Sequence, residues 1–126
     1  MKDDLFDLIV IGGGAAGFYC AIRAAEMKPG MKILIIEKTT KLLTKVKVSG
    51  GGRCNVTHNE FNPFRFADHY PRGEKQLRTL FKSFHAEDIV KWFHSKQVKL
   101  KAEDDGRMFP ITNDSNYYQL LFKGSP

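Results

Sequence analysis

The order of apolar and turn-forming residues at the start of the chain predicts a strand, a helix and a second strand. Leu8-Ile9-Val10-Ile11 is short, β-branched and continuously apolar, and 6–11 reads as a strand buried inside a parallel sheet. It stops at Gly12-Gly13-Gly14-Ala15-Ala16-Gly17, after which Ala15, Phe18, Ile22 and Ala25 fall on one helical face. Pro29-Gly30 ends the helix, and 32–37, built on Ile33-Leu34-Ile35-Ile36, predicts a second buried strand. A β-α-β crossover of this size makes the two strands parallel neighbours.

The pattern then weakens. Residues 38–73 show little periodicity and are punctuated by Ser49-Gly50-Gly51-Gly52-Arg53-Cys54-Asn55, Pro63 and Pro71-Arg72-Gly73. They read as an ordered connection anchored by Phe61, Phe64, Phe66 and Tyr70. Leu77, Leu80, Phe81 and Phe84, then Ile89, Trp92 and Phe93, mark two amphipathic helices, the second with Glu87 and Asp88 where the helix dipole favours acids. Val98, Leu100 and Ala102 alternate with charged residues as a half-buried strand, and 107–111 returns as its hairpin partner across Asp104-Asp105-Gly106. Caps at 112–115 precede a short helix over 117–122. The fold class is α/β: a Rossmann-like start of a doubly wound parallel sheet, followed by helices and a short β hairpin. Because such a sheet needs more than two strands, 1–126 is expected to be the amino-terminal portion of a dinucleotide-binding domain in a longer protein, the alternative being a small α+β domain.

Composition narrows the class. A chain of 126 residues, 42% hydrophobic and 27% charged, has the make-up of one globular domain rather than a disordered segment. Its aliphatic runs fall far short of the roughly 20 residues that span a bilayer. No apolar signal region precedes the first strand, and Cys20 and Cys54 have neither disulfide-framework nor metal-ligand spacing, so the expected setting is the cytoplasm, with no metal and no membrane. The net charge of +6 is concentrated: 38–59 carries Lys38, Lys41, Lys45, Lys47 and Arg53 and no acid. Such a tract suits a diphosphate or a nucleic-acid backbone, although an isolated basic run is more often a solvated loop.

GxGxxG alone is a weak signal, but here it follows a strand and opens a helix. Gly12 permits the tight turn, Gly14 leaves room for a pyrophosphate, and Gly17 lets helix and sheet pack closely. The helix N-terminus, from Gly13 through Ala15 and Ala16, then presents amides to the anion. Glu37 ends the second strand 20 residues after Gly17, where a carboxylate accepts from both ribose hydroxyls and repels a 2′-phosphate. Gly50, Gly51 and Gly52 let backbone pass a flat ligand, and Arg53 offers a planar donor. A nicotinamide fold does not need this element, whereas a flavin, whose isoalloxazine must be held rigidly, has a use for it. Cys54 beside a cation reads as packed or flavin-contacting rather than as an active thiol.

Together, GGGAAG, Glu37-Lys38, Lys45 with SGGGRCN, and Gly106-Arg107-Met108-Phe109-Pro110 resemble the BaiN-like flavoproteins, also called aminoacetone-oxidase-family or NAD(P)/FAD-dependent oxidoreductases. The resemblance runs from Asp7 to Leu121, and departs at Leu43 and Thr44, where many members have glycine and a base. It implies FAD on Gly12, Gly14, Gly17, Glu37 and Lys38, with 49–55 lining the cofactor, and leaves NAD(P)H open as reductant of the full-length protein. The expected role is the FAD-binding portion of an oxidoreductase acting on a small molecule. No catalytic residue is assigned, no oligomeric state follows, and nucleic acid is not the expected partner. Two rivals remain: a flavin-dependent tRNA-modifying enzyme, and a truncated, ligand-free interaction domain.

Overall fold

A computed structural model describes residues 5–116, which fall into two compact units: 5–49 with 115–116, and 50–114. The helix expected over 117–122 lies outside the described residues.

The first unit is built on β1 (Leu8–Ile11), α1 (Ala15–Met27) and β2 (Ile33–Ile36). The strands are parallel, in the register Leu8↔Ile33 to Ile11↔Ile36, as the crossover demands. Asp7 pins the entry: its carboxylate accepts from the Lys32 N–H at 2.8 Å, while its own N–H donates to the Lys32 carbonyl at 2.9 Å. At the other end the Gly12 N–H donates to the Ile36 carbonyl at 2.7 Å, so the glycine turn leaves directly from the ladder.

Two expectations shift here. The strands are not buried on both faces: Ile9 is 53% and Ile11 87% exposed, because α1 covers only the face bearing Val10. Along α1 the inward stripe centres on Ala21 with Phe18 and Ile22, whereas Ala15 and Ala25 are exposed. Gly17 must face the sheet, and its contact rotates the stripe.

The tract read as an ordered connection contains α2 (Thr44–Gly52), β3 (Thr57–His58) and α3 (Pro63–Asp68). The last three residues of α2 take left-handed φ of 58°, 70° and 86°, a conformation glycine adopts without penalty. Pro63 does not break the chain. It occupies the first turn of α3, where its missing N–H costs nothing, and Asn62 caps it by accepting from Phe64 and Arg65 N–H.

The second unit continues with α4 (Glu74–Leu80), α5 (Ala86–Ser95), β4 (Leu100–Ala102) and β5 (Arg107–Pro110). The sheet order is β3-β5-β4, antiparallel throughout, and the expected hairpin is present with Lys101 opposite Phe109. Its core joins Trp92 and Phe93 of α5 to Val98, Met108 and the fully buried Phe109. Arg53 closes this core. Its guanidinium lies 4.0 Å from the centroid of the Phe109 ring, pairs with Glu103 at 2.5 Å and donates from Nε to the Gly50 carbonyl.

Helix α5 begins with a reciprocal cap. The His85 ring accepts from the Glu87 N–H, and the Asp88 carboxylate accepts from the His85 N–H at 2.9 Å. Asp88→Ala leaves that amide without its partner and is expected to cost about 0.5–2 kcal/mol, read as a lower urea midpoint at unchanged m-value.

Candidate nucleotide-binding loop

The glycine loop fills the gap between β1 and α1, and its glycines have different jobs. Gly12 takes φ of +108°, which turns the chain out of the strand. At Gly17 a Cβ would collide with the Gly12 carbonyl oxygen and press on Val10, so only glycine lets the helix sit this close to the strand end. Gly13 is buried, and a Cβ there would meet Leu42 and the Cβ of Glu37. Gly14 differs: a Cβ there would meet nothing within 4 Å, and its φ of −93° suits any residue.

Gly14 is the N-cap of α1, in extended conformation and with no side-chain cap. The first intrahelical bond is donated by the Phe18 N–H to the Gly14 carbonyl at 3.1 Å. The amides of Ala15, Ala16 and Gly17 therefore have no acceptor within the helix. No acid stands in the first turn of α1 itself. Ala15 and Ala16 are exposed and Gly17 is half-buried, and helix amides without an acceptor are a suitable arrangement for an anion.

Glu37 joins this loop. One carboxylate oxygen accepts from the Gly13 N–H at 2.8 Å and the other from the Thr39 N–H at 2.9 Å. The Gly13 amide, followed by Thr39, holds this carboxyl below the usual range. Each oxygen keeps a second lone pair, so the carboxylate retains acceptor capacity for a further donor.

Other candidates are distributed differently. Lys38 and Lys45 are exposed, and Ser49 turns its hydroxyl back to the Val46 carbonyl at 3.0 Å. Gly50 to Asn55 belong to the second unit, where Cys54 is buried at φ of +63° and Asn55 is exposed. Arg53 is tied to Glu103, Phe109 and Gly50.

Leu43 was not among the expected site residues. It has φ of +55°, its N–H donates to the Gly13 carbonyl at 2.9 Å, and its side chain is 4% exposed. Left-handed backbone costs a residue with a Cβ about 1–2 kcal/mol, which burial of the leucine offsets. The departure from glycine at this position was the available signal: the backbone there has the shape glycine prefers.

The model of the HI0933-like protein Rossmann domain matches residues 6–123. The chain belongs to the HI0933-like family. This bears out the resemblance to the BaiN-like flavoproteins. The HI0933-like chain is 35% identical over 85 residues to the ribosomal RNA dihydrouridine synthase of Escherichia coli, covering 68% of this chain and 21% of that protein. It is 28% identical over 106 residues to the 3-dehydro-bile acid delta(4,6)-reductase of Clostridium scindens, covering 84% and 25%. It is 39% identical over 70 residues to the fumarate reductase flavoprotein subunit of a Serratia strain, covering 54% and 12%. This HI0933-like chain thus spans a quarter or less of the length of these relatives. Among its described residues no helix is long and apolar enough to cross a membrane.

Two glycine substitutions separate packing from ligand access. Gly17→Ala is expected to lose about 1–3 kcal/mol in denaturant unfolding, since the new methyl overpacks against backbone. Gly14→Ala, into open space, is expected to stay within about 0.5 kcal/mol of the parent.

Glu37 gives a pH dependence of known sign. Its folded pKa is depressed, so its contribution is complete above the ordinary carboxylate range and is lost as pH falls through the lowered value. Melting temperature followed from neutral into acid is expected to fall less steeply for Glu37→Gln than for the parent.

Proposed function

We propose that this chain holds the adenosine diphosphate portion of FAD and forms the FAD-binding part of a cytoplasmic flavin-dependent oxidoreductase. The observation that carries the reading is the open space at Gly14 beside the amides of Ala15, Ala16 and Gly17, with Glu37 fastened to the same loop. The amides take the pyrophosphate, and the spare acceptor capacity of Glu37 takes the ribose hydroxyls. A carboxylate at this position repels a 2′-phosphate, which favours the FAD adenosine over that of NADP. When bound, FAD supplies two-electron redox chemistry at its isoalloxazine, and the protein supplies binding, orientation and electrostatics. The names of two relatives, a bile acid reductase and the flavoprotein subunit of a fumarate reductase, support a redox role.

A second reading, in which the substrate is RNA, has its own support. Two relatives are ribosomal RNA dihydrouridine synthases. Lys38, Lys41, Lys45 and Lys47 are all exposed, and none is in an ion pair among the described residues. In this reading the flavin site is unchanged and only the substrate differs.

The flavin reading is tested by titrating FAD into the full chain and following quenching of flavin fluorescence. Saturable binding is expected, at least tenfold tighter than that of riboflavin, which lacks the diphosphate and adenosine. Gly14→Asp, which puts a carboxylate against the exposed amides, is expected to abolish it while leaving the circular dichroism of the fold intact. Equal affinity for FAD and riboflavin would overturn the placement of the diphosphate.

A further inference from the structure

Helix α5 ends on a residue that the helix itself does not favour. The Val98 N–H donates to the Phe93 carbonyl and the Gln97 N–H to the His94 carbonyl, both at 3.0 Å, and the Val98 side chain is buried. This closure needs left-handed backbone at 97, a place usually taken by glycine. Gln97 takes it at φ of +65°. At Leu43 burial offsets the same conformation, but Gln97 is exposed and gains nothing comparable. A glutamine held there at a cost to the helix end points to a use for its side chain.

That side chain lines a cleft. His94, Gln97, Lys99 and Leu100 surround a space of about 420 Å³, within the range of small-molecule sites. Three of these four residues bring a polar group: an imidazole, a carboxamide and an ammonium. Among the described residues none of the three side chains has a hydrogen bond or an ion pair. The charge is one-sided. Residues 89–102 hold four lysines and no acid. Lys91 is taken by Glu87 at 3.1 Å, whereas Lys99 keeps its charge free for the cleft, which no carboxylate lines. Leu100, half-buried, gives the space an apolar wall.

We infer that this cleft binds a small organic acid, its carboxylate held by Lys99 and the carboxamide N–H of Gln97, and its apolar body set against Leu100. An ammonium with no partner selects an anion, and the two oxygens of a carboxylate accept from two donors side by side. The size of the space and its apolar wall select an organic ion over an inorganic one, since a phosphate would leave both to water. His94 adds a ring nitrogen as a further polar contact. None of these residues belongs to the glycine loop or its ties, so the inference stands apart from the flavin reading.

The test is an NMR titration of the isotope-labelled full chain with hexanoate, hexanamide and inorganic phosphate, following the amides of residues 94–100. Hexanoate is expected to shift them saturably and to bind about tenfold more tightly than either of the others, the share of one charge-assisted contact. Lys99→Met keeps the stem and removes the charge, and is expected to weaken hexanoate about tenfold. Gln97→Gly is expected to raise the melting temperature by a few degrees and yet weaken hexanoate about fivefold, as the loss of a neutral hydrogen bond would. A glutamine with no ligand to hold would show the first effect without the second. Gly14→Asp is expected to leave hexanoate binding unchanged. Hexanamide or phosphate bound as tightly as hexanoate overturns the inference, as do shifts confined to residues outside 94–100. Undiminished hexanoate binding by either Lys99→Met or Gln97→Gly overturns it as well.

Discussion

The first unit depends on one close approach, that of Gly17 to the Gly12 carbonyl. Because there is no side chain at 17, the first turn of α1 rests against the end of β1 rather than a methyl's width away. That distance sets where the amides of the first turn point. It also determines which face of α1 meets the sheet, so the contact with Val10 and the burial of Ala21 follow from it. Loop shape, helix packing and the direction of the dipole are consequently a single property, and a change at Gly17 alters all three.

Glu37 adds a second constraint from the far end of the crossover. By accepting from Gly13 and Thr39 it ties the end of β2 to the loop after β1, which the parallel ladder alone does not do. Leu43 repeats the tie through its N–H on the Gly13 carbonyl. Gly13 is thus held at both its amide and its carbonyl, and the loop is shaped before any ligand arrives. Preorganised amides spend less of their interaction with an anion on ordering themselves.

What could be read from the chain was whatever local pattern encodes. The parallel strands, the crossover helix, the hairpin and its turn all announce themselves within a dozen residues. The helices α2 and α3 did not. In α2, Lys and Val alternate and no residue is buried, so there is no apolar face to detect. In α3, six residues are too few for a period, although Asn62-Pro63 was a helix start whose proline read as a breaker. Burial of β1 was overestimated because a continuous apolar run reports what a strand can tolerate, not what covers it. The second-unit fate of Arg53 depends on Glu103, fifty residues away, and Phe109. No spacing rule reaches that far, so the part that Arg53 plays in closing a core could not be read from its neighbours in sequence.

The glycines show how fold and ligand demands can be told apart. Gly12 and Gly51 have positive φ, and at Gly13 and Gly17 protein atoms occupy the place of a Cβ. Gly50 satisfies both conditions, with the Phe109 ring where its side chain would be. Each of these is required by the fold whether or not anything binds. Gly14 meets neither condition, and as an N-cap it would be outperformed by serine, aspartate or asparagine, whose side chains satisfy the first-turn amides. Any of those side chains would also occupy the amides. Glycine at 14 therefore forgoes a stabilising cap and keeps the donors available. A chain under pressure for stability alone gains nothing by that choice, whereas a chain that must accept an anion there has reason to make it.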